Sequence, residues 1–228
     1  KNQFNFFVGG PSSSEKEKTH IIFGLPNEFA NFTGRKDILN QMKSTKLLVS
    51  GTRGVGKTQL TSAFAYNQLA EYKKNQGKVG FRSIIWLIAG TDEGVDNQGL
   101  LSEQLQRLAT ELNIDPKQFK GRELAKTIYE RVGLKYGPYA VVFDNAHNHL
   151  SIQDFLPPSS ATIIITTCNS NQRDWDPSYK SISLGVFSDD DAHDYVKVYL
   201  SQNHGHLYQE HNARRLAETL GNFPLALT

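Results

Sequence analysis

The octapeptide Gly51-Thr52-Arg53-Gly54-Val55-Gly56-Lys57-Thr58 constrains this chain more than any other stretch. It stands between a short apolar run, residues 46–50 (KLLVS), and residues 58–72, where Leu60, Ala63, Phe64 and Leu69 recur at helical spacing. Strand, glycine-rich turn and helix form the context in which such a turn wraps an anion. The glycines let the backbone curl with its N–H groups inward, and the helix that starts there presents its positive end. Lys57 is then placed to reach the β- and γ-phosphates of a nucleotide, and the Thr58 hydroxyl to ligate Mg2+. The bland alternative is a glycine-rich turn without a ligand, which the flanking strand and helix disfavour.

The rest of the chain repeats the alternation. Residues 83–89 (SIIWLIA), 139–143 (YAVVF) and 162–166 (TIIIT) are continuous apolar runs, as expected of strands buried on both faces, and 181–184 is a short fifth. Between them lie two amphipathic helices. Residues 101–112 carry Leu101, Leu105, Leu108, Ala109 and Leu112 at the 3.6 period, and residues 123–136 form the second. Strands separated by helices of this length mean βαβ units, so the expected fold is three-layer α/β around a parallel five-stranded sheet. After Val186 the pattern turns purely helical. Ser188 with Asp189, Asp190 and Asp191 predicts a capped helix running to Leu200, and residues 212–220 a second one closed by Gly221.

A magnesium ion on a bound phosphate also needs a carboxylate at the end of a neighbouring strand, and Asp144, directly after 139–143, supplies it. A solvated loop aspartate is the alternative. No Asn/Thr-Lys-x-Asp element follows the phosphate loop, which disfavours a guanine pocket and leaves adenine as the default base. The expected ligand set on these grounds is ADP or ATP with Mg2+. Arg53, Gly54, Val55, Gly56, Lys57, Thr58 and Gln59 hold the nucleotide, Thr58 and Asp144 the metal, and Lys57 and Asp144 take any catalytic role.

With these pieces in place the chain resembles the NB-ARC branch of the signal-transduction (STAND) ATPases, relatives of AAA+ proteins. Leu25-Pro26 followed by Phe32-Thr33-Gly34-Arg35 is similar to the "LP…F.GR" segment ahead of the loop. Gly54-Val55-Gly56-Lys57-Thr58 fits "GVGKT", and residues 139–144 resemble the Walker B strand. Leu156-Pro157 with residues 163–167 (IIITT) resembles "LP…vliTTR", and residues 221–227 (GNFPLAL) resemble the "GLPLAL" of the first helical (ARC) subdomain. The resemblance implies a P-loop NTPase of AAA+/STAND type followed by a partial, all-helical ARC subdomain. It implies that Thr33 and Arg35 sit beside the adenine and that Pro224 approaches the base or ribose. Without it, Gly221-Asn222 reads equally as a helix C-cap and Pro224 as the stop behind it. It implies a nucleotide-binding switch that governs self-association of a longer signalling protein, with an active AAA+-like ATPase or a nucleotide-free scaffold as alternatives.

The departures from that pattern bear on catalysis. Asn145 stands where many members carry a second acid, and an amide orients water without taking its proton. Cys168 stands where the family has a sensor arginine, and a neutral thiol does not neutralise a γ-phosphate. Arg53 or Arg173 is a possible substitute. The expectation is therefore slow or absent hydrolysis.

Composition narrows the remaining classes. Twenty-five Lys and Arg against 23 Asp and Glu give a net charge of +2, too small a field to imply a polyanion partner. Cys168 is the lone cysteine, so neither an intrachain disulfide nor a cysteine-rich zinc site can form. His204, His206 and His211 lack the acid or thiol to complete a metal site. His147 and His149 follow the Asp144 strand, either in solvent or with one of them reaching the phosphates. The apolar runs are far too short for a membrane span, and the start shows no signal-peptide h-region. Residues 1–20 read as a flexible segment with Gly-Pro-Ser linker chemistry, 21–185 as the nucleotide-binding domain, and 186–228 as the start of a truncated helical ARC1 subdomain. The whole reads as part of a longer cytoplasmic protein.

Overall fold

Alternation at period two sends successive strand residues to opposite faces of a sheet, and both faces of this one are apolar. In the computed structural model, which describes residues 19–29, 32–91, 98–203 and 209–227, strands β2 (Lys46–Ser50), β3 (Ser83–Ile88), β4 (Tyr139–Asp144), β5 (Thr162–Thr167) and β6 (Lys180–Ser183) all run parallel. Leu48, Ile85, Leu87, Val141, Phe143, Ile163 and Ile165 share one face and pack under helices α3 (Gln98–Glu111) and α4 (Gly121–Tyr136). Leu47, Val49, Trp86, Val142, Ile164 and Ile182 share the other, with Leu60 and Phe64 of helix α2 (Lys57–Lys74). The result is the expected three-layer α/β fold.

The sheet has a sixth strand among the described residues. Ile22–Phe23, β1, pairs parallel with β3 at the far edge, Ile22 opposite Ile84. Two paired residues before Gly24 leave no periodic signal, but the Ile21 N–H donating to Ser83 Oγ at 3.0 Å and the Ile84 N–H donating to the Ile21 carbonyl at 2.9 Å fasten the segment. The strand order is β1-β3-β4-β5-β2-β6. It corrects one expectation: the strand that delivers Asp144 does not adjoin the strand that precedes the phosphate loop, because β5 lies between them. A short helix, α1 (Lys36–Gln41), precedes β2.

Beyond β6 come α5 (Asp189–Asn203), α6 (Glu210–Thr219) and a 3-10 turn over Pro224–Leu227. Ala192 and Val196 meet Ala213, Ala217 and Leu227 in a separate small core. The Ser188 hydroxyl accepts the Asp191 N–H at 3.1 Å, which is the expected cap. At the other end, the Gly221 N–H donates to Glu218 and the Asn222 N–H to Ala217. This paired pattern closes α6 as a Schellman motif and turns the chain back toward Pro224. The N-terminal segment through residue 18, and His204 and His206, lie outside the described residues.

Candidate functional site

Every strand being parallel, the carboxyl ends of β2, β4, β5 and β6 fall along one edge, and the loops leaving that edge build the site. Residues 51–56 leave β2, and Gly56, at φ 93°, caps α2, so the helix begins at Lys57, one residue earlier than the periodicity suggests. Such a backbone is open to glycine and strained for other residues. Lys57 is buried, and its Nζ donates to the carbonyls of Gly51 and Thr52, both at 2.9 Å. It also lies 3.2 Å from the Cys168 Sγ at the end of β5. The ammonium is thus centred in the loop, with the thiol beside it.

Thr58 and Asp144 meet although their strands are not neighbours. The first turn of α2 crosses the end of β5, and Thr58 Oγ1 donates toward the carboxylate, 3.0 and 3.1 Å from its two oxygens. Burial pushes the Asp144 carboxyl up from its ordinary value. The hydroxyls of Thr166 and Thr58 and the charge of Lys57 oppose that shift. Two hard oxygen donors this close fit Mg2+, which takes one or two protein ligands and leaves its other positions to water and phosphate oxygens.

Sequence reasoning missed Thr166. Its buried hydroxyl donates to Asp144 Oδ1 and accepts the Asn145 N–H at 2.8 Å, so one side chain orients the acid and ties down the residue after it. The resemblance marks the strand 163–167 as a whole without singling out Thr166. Asn145 itself sits at φ 62°, and its Nδ2 donates to the Gly90 carbonyl at 3.2 Å, which turns the amide toward the end of β3.

Beside the loop lies a shallow depression that is partly open to solvent. Phe32, Thr33 and Arg35 form one wall, Val55, Gly56 and Gln59 the floor, and Phe187, Tyr195 and Pro224 the wall from the helical part. Six expected residues, Thr33, Arg35, Val55, Gly56, Gln59 and Pro224, are therefore brought together. The three aromatics are additions, contributed by segments too far apart in sequence to read as a group. Phe187 and Tyr195 lie stacked, ring centroids 5.8 Å apart. Aromatic side chains lining such a depression offer faces on which a heterocyclic base can stack. The turn at 223–225 also lies against the phosphate loop: a Cβ on Gly54, at φ 78°, would come within 2.9 Å of the Leu225 side chain.

Other residues fall elsewhere. Arg53 and Arg173 are exposed, Arg173 in the turn beyond β5. His147 is exposed, while the His149 ring packs edge-on against Tyr179, 6.2 Å between centroids, as part of the β5–β6 surface. His211 is exposed on α6. Among the described residues no group of three or more His, Cys, Asp or Glu is placed to hold a metal, and no helix is long and apolar enough to cross a membrane.

No protein-family model matches the chain, and no curated protein matches it in sequence. Solved structures do match in shape. The Signal Transduction ATPase with Numerous Domains (STAND) protein with a tetratricopeptide repeat sensor from Pyrococcus horikoshii superposes with a TM-score of 0.55 at 16% identity. That match covers 90% of this chain and 30% of the other. The ORC1 protein of Aeropyrum pernix, in complex with DNA, gives 0.57 at 14% identity, over 86% and 58% of the two chains. A Walker-type ATPase of Pyrococcus abyssi gives 0.53 at 15%, over 86% and 65%. The chain thus spans less than two thirds of each of these neighbours. Sheet order, loop and likeness define an α/β fold like that of P-loop NTPases, matching the AAA+ and STAND neighbours. At these identities the similarity is one of fold.

Proposed function

We propose that the chain binds an adenine nucleotide with Mg2+ as a molecular switch that controls self-association of a longer signalling protein of the NB-ARC type. The observation that carries this reading is the placement of the aromatic-lined depression. It lies next to the phosphate loop and is walled on one side by sheet-bearing segments and on the other by Phe187, Tyr195 and Pro224 of the helical part. A base held there touches both parts, and its phosphates reach Lys57 and Thr58. A ligand that contacts both walls binds the closed arrangement better than an open one, and this difference in affinity is what shifts a conformational equilibrium.

Lys57 supplies the positive charge for the phosphates, the loop amides the hydrogen bonds, and Thr58 with Asp144 the metal contacts. Mg2+, when bound, neutralises charge on the phosphate oxygens. Asn145 faces the Gly90 carbonyl, and Cys168 stands where the family carries an arginine, which together favour slow or absent hydrolysis. Residues 186–228 supply the start of an ARC-like helical subdomain. The second reading, an active AAA+-like ATPase that remodels protein or nucleic acid, draws on the fold shared with a protein solved in complex with DNA. It requires turnover that rises with protein concentration, because an arginine finger would come from a second copy. A nucleotide-free scaffold is disfavoured by the intact Lys57 and Thr58.

The experiment is to denature the purified chain and identify any released nucleotide by ion-exchange chromatography, with Lys57→Ala as control. Near-stoichiometric ADP or intact ATP in the wild type and none in the variant is expected. GDP or GTP in place of an adenine nucleotide would overturn the base assignment. Turnover above about 1 s⁻¹, the range of ordinary enzymes, that is lost in Asp144→Ala would replace the switch with the active ATPase.

A further inference from the structure

Arg35 is buried more deeply than Lys57, at 4% exposure against 8%, and its guanidinium makes contacts with three parts of the chain. One terminal nitrogen, Nη1, donates to the Val55 carbonyl inside the phosphate loop at 2.8 Å. The other, Nη2, donates at 2.9 Å to the Gly185 carbonyl, in the segment that joins β6 to α5. Its central carbon lies 4.5 Å from the centroid of the Phe187 ring, the first aromatic of the helical part. The backbone at Arg35 is left-handed, φ 56°, and its N–H donates to Asp191 Oδ2 in the first turn of α5 at 3.3 Å. Burial lowers the basicity of the guanidinium, and the carboxylates of Asp191 and Asp37 raise it again.

A guanidinium is a rigid planar fork, so two of its N–H groups hold their acceptors at a set separation, which a single ammonium does not do. Here those acceptors are one carbonyl of the phosphate loop and one of the interdomain junction. Swinging the helical part away from the sheet would break the Gly185 hydrogen bond and the Phe187 stack together. It would leave a buried cation with half its partners, an unfavourable state in a low-dielectric interior.

We infer that Arg35 is a positioning residue that couples the phosphate loop to the helical part. On this view its contribution to affinity acts through closure, because one N–H of each terminal nitrogen already holds a protein carbonyl, one on either side of the junction. The inference rests on the reading of the depression as a nucleotide site, and it changes the role of Arg35 from a base contact to a strut between the two walls.

The test compares the 228-residue wild type with Arg35→Lys, Arg35→Ala and Phe187→Leu. Each is titrated with a fluorescent ADP analogue in Mg2+, and each is followed by amide hydrogen exchange with and without ADP. The two Arg35 variants should bind ADP at least tenfold more weakly. Their amides over 185–192 should exchange faster than in the wild type and lose the slowing that ADP produces, while those of β4 and β5 stay unchanged. Phe187→Leu keeps both donors and removes the stack, so it should fall between wild type and Arg35→Ala. If Arg35→Ala does not fold, Arg35→Lys decides by the same criteria, and Phe187→Leu is read by its exchange over 185–192 alone. ADP affinity within twofold of wild type in the Arg35 variants would overturn the inference. So would weakened affinity with wild-type exchange over 185–192, which is the signature of direct contact with the ligand. A wild type that binds no nucleotide would instead sink the site reading. The ligand-free exchange would then still judge the strut: faster at 185–192 in Arg35→Ala supports it, equal rates overturn it.

Discussion

Thr166 and Asn145 show how much of the site depends on single side chains behind the phosphate-facing ones. Thr166→Val keeps shape and volume while leaving a buried carboxylate oxygen and the Asn145 N–H short of a partner. The expected cost is about 1–3 kcal/mol in urea unfolding, with Thr166→Ser close to wild type. The same change should weaken the Mg2+-dependent part of nucleotide binding, read as the ratio of affinities with and without the metal. Asn145→Asp tests whether hydrolysis is limited by the missing acid alone. Its left-handed backbone accepts aspartate, but the carboxylate would face the Gly90 carbonyl. We expect ATP turnover to change less than threefold and stability to fall by about 1 kcal/mol. A rise above tenfold would mean that the side chain swings round to the phosphates. Lys57, Thr58 and Asp144 are legible in the sequence because their chemistry needs those residue types at the ends of recognisable elements. Thr166 is not, because its role exists only through the side chains opposite it.

Among the elements, α5 and the turn behind α6 decide whether the depression has a second wall. Helix α5 starts on the Ser188 cap, with three aspartates in its first turn complementing the helix dipole. Ser188→Ala should cost about 1 kcal/mol in thermal or urea unfolding. The Schellman closure of α6 brings the turn that follows Gly221 onto the phosphate loop. Asn222 then secures it: its carbonyl accepts the Phe187 N–H at 3.0 Å, and its Nδ2 donates to Asp189 Oδ1 at 2.6 Å. Pro224 thus follows the helix stop at Gly221-Asn222 and lines the depression beside the loop. Gly54→Ala tests the contact between turn and loop. The added methyl would meet Leu225 at 2.9 Å in a backbone that already disfavours it, and nucleotide affinity should fall at least tenfold by calorimetric titration. An unchanged affinity would mean that the turn lifts off the loop at little cost.

For the molecule as a whole, the doubly covered sheet carries the stability, and its buried phenols give that stability an alkaline limit. Burial pushes Tyr139 and Tyr179 up to about 12 from an ordinary value of 10.0. Below that ordinary value both states keep their protons and the phenols add no pH dependence. Between about 10 and 12 the unfolded chain releases protons that the folded one retains, so stability falls with rising pH across this window. The urea midpoint should hold to near pH 10 and drop above it. Tyr139→Phe should soften the drop at no loss near neutrality, since the buried Tyr139 hydroxyl has no hydrogen-bond partner among the described residues. Layering, parallel strands and the phosphate loop followed from residue order alone, because local periodicity dictates each element and βαβ succession permits few arrangements. The two-residue strand β1, the insertion of β5 between β2 and β4, the three aromatics of the depression and the Arg35 fork did not. Each depends on contacts between segments far apart in the chain, such as the 150 positions between Arg35 and Gly185. Periodicity reports a residue's side of its own element and carries no information about which distant element will cover it.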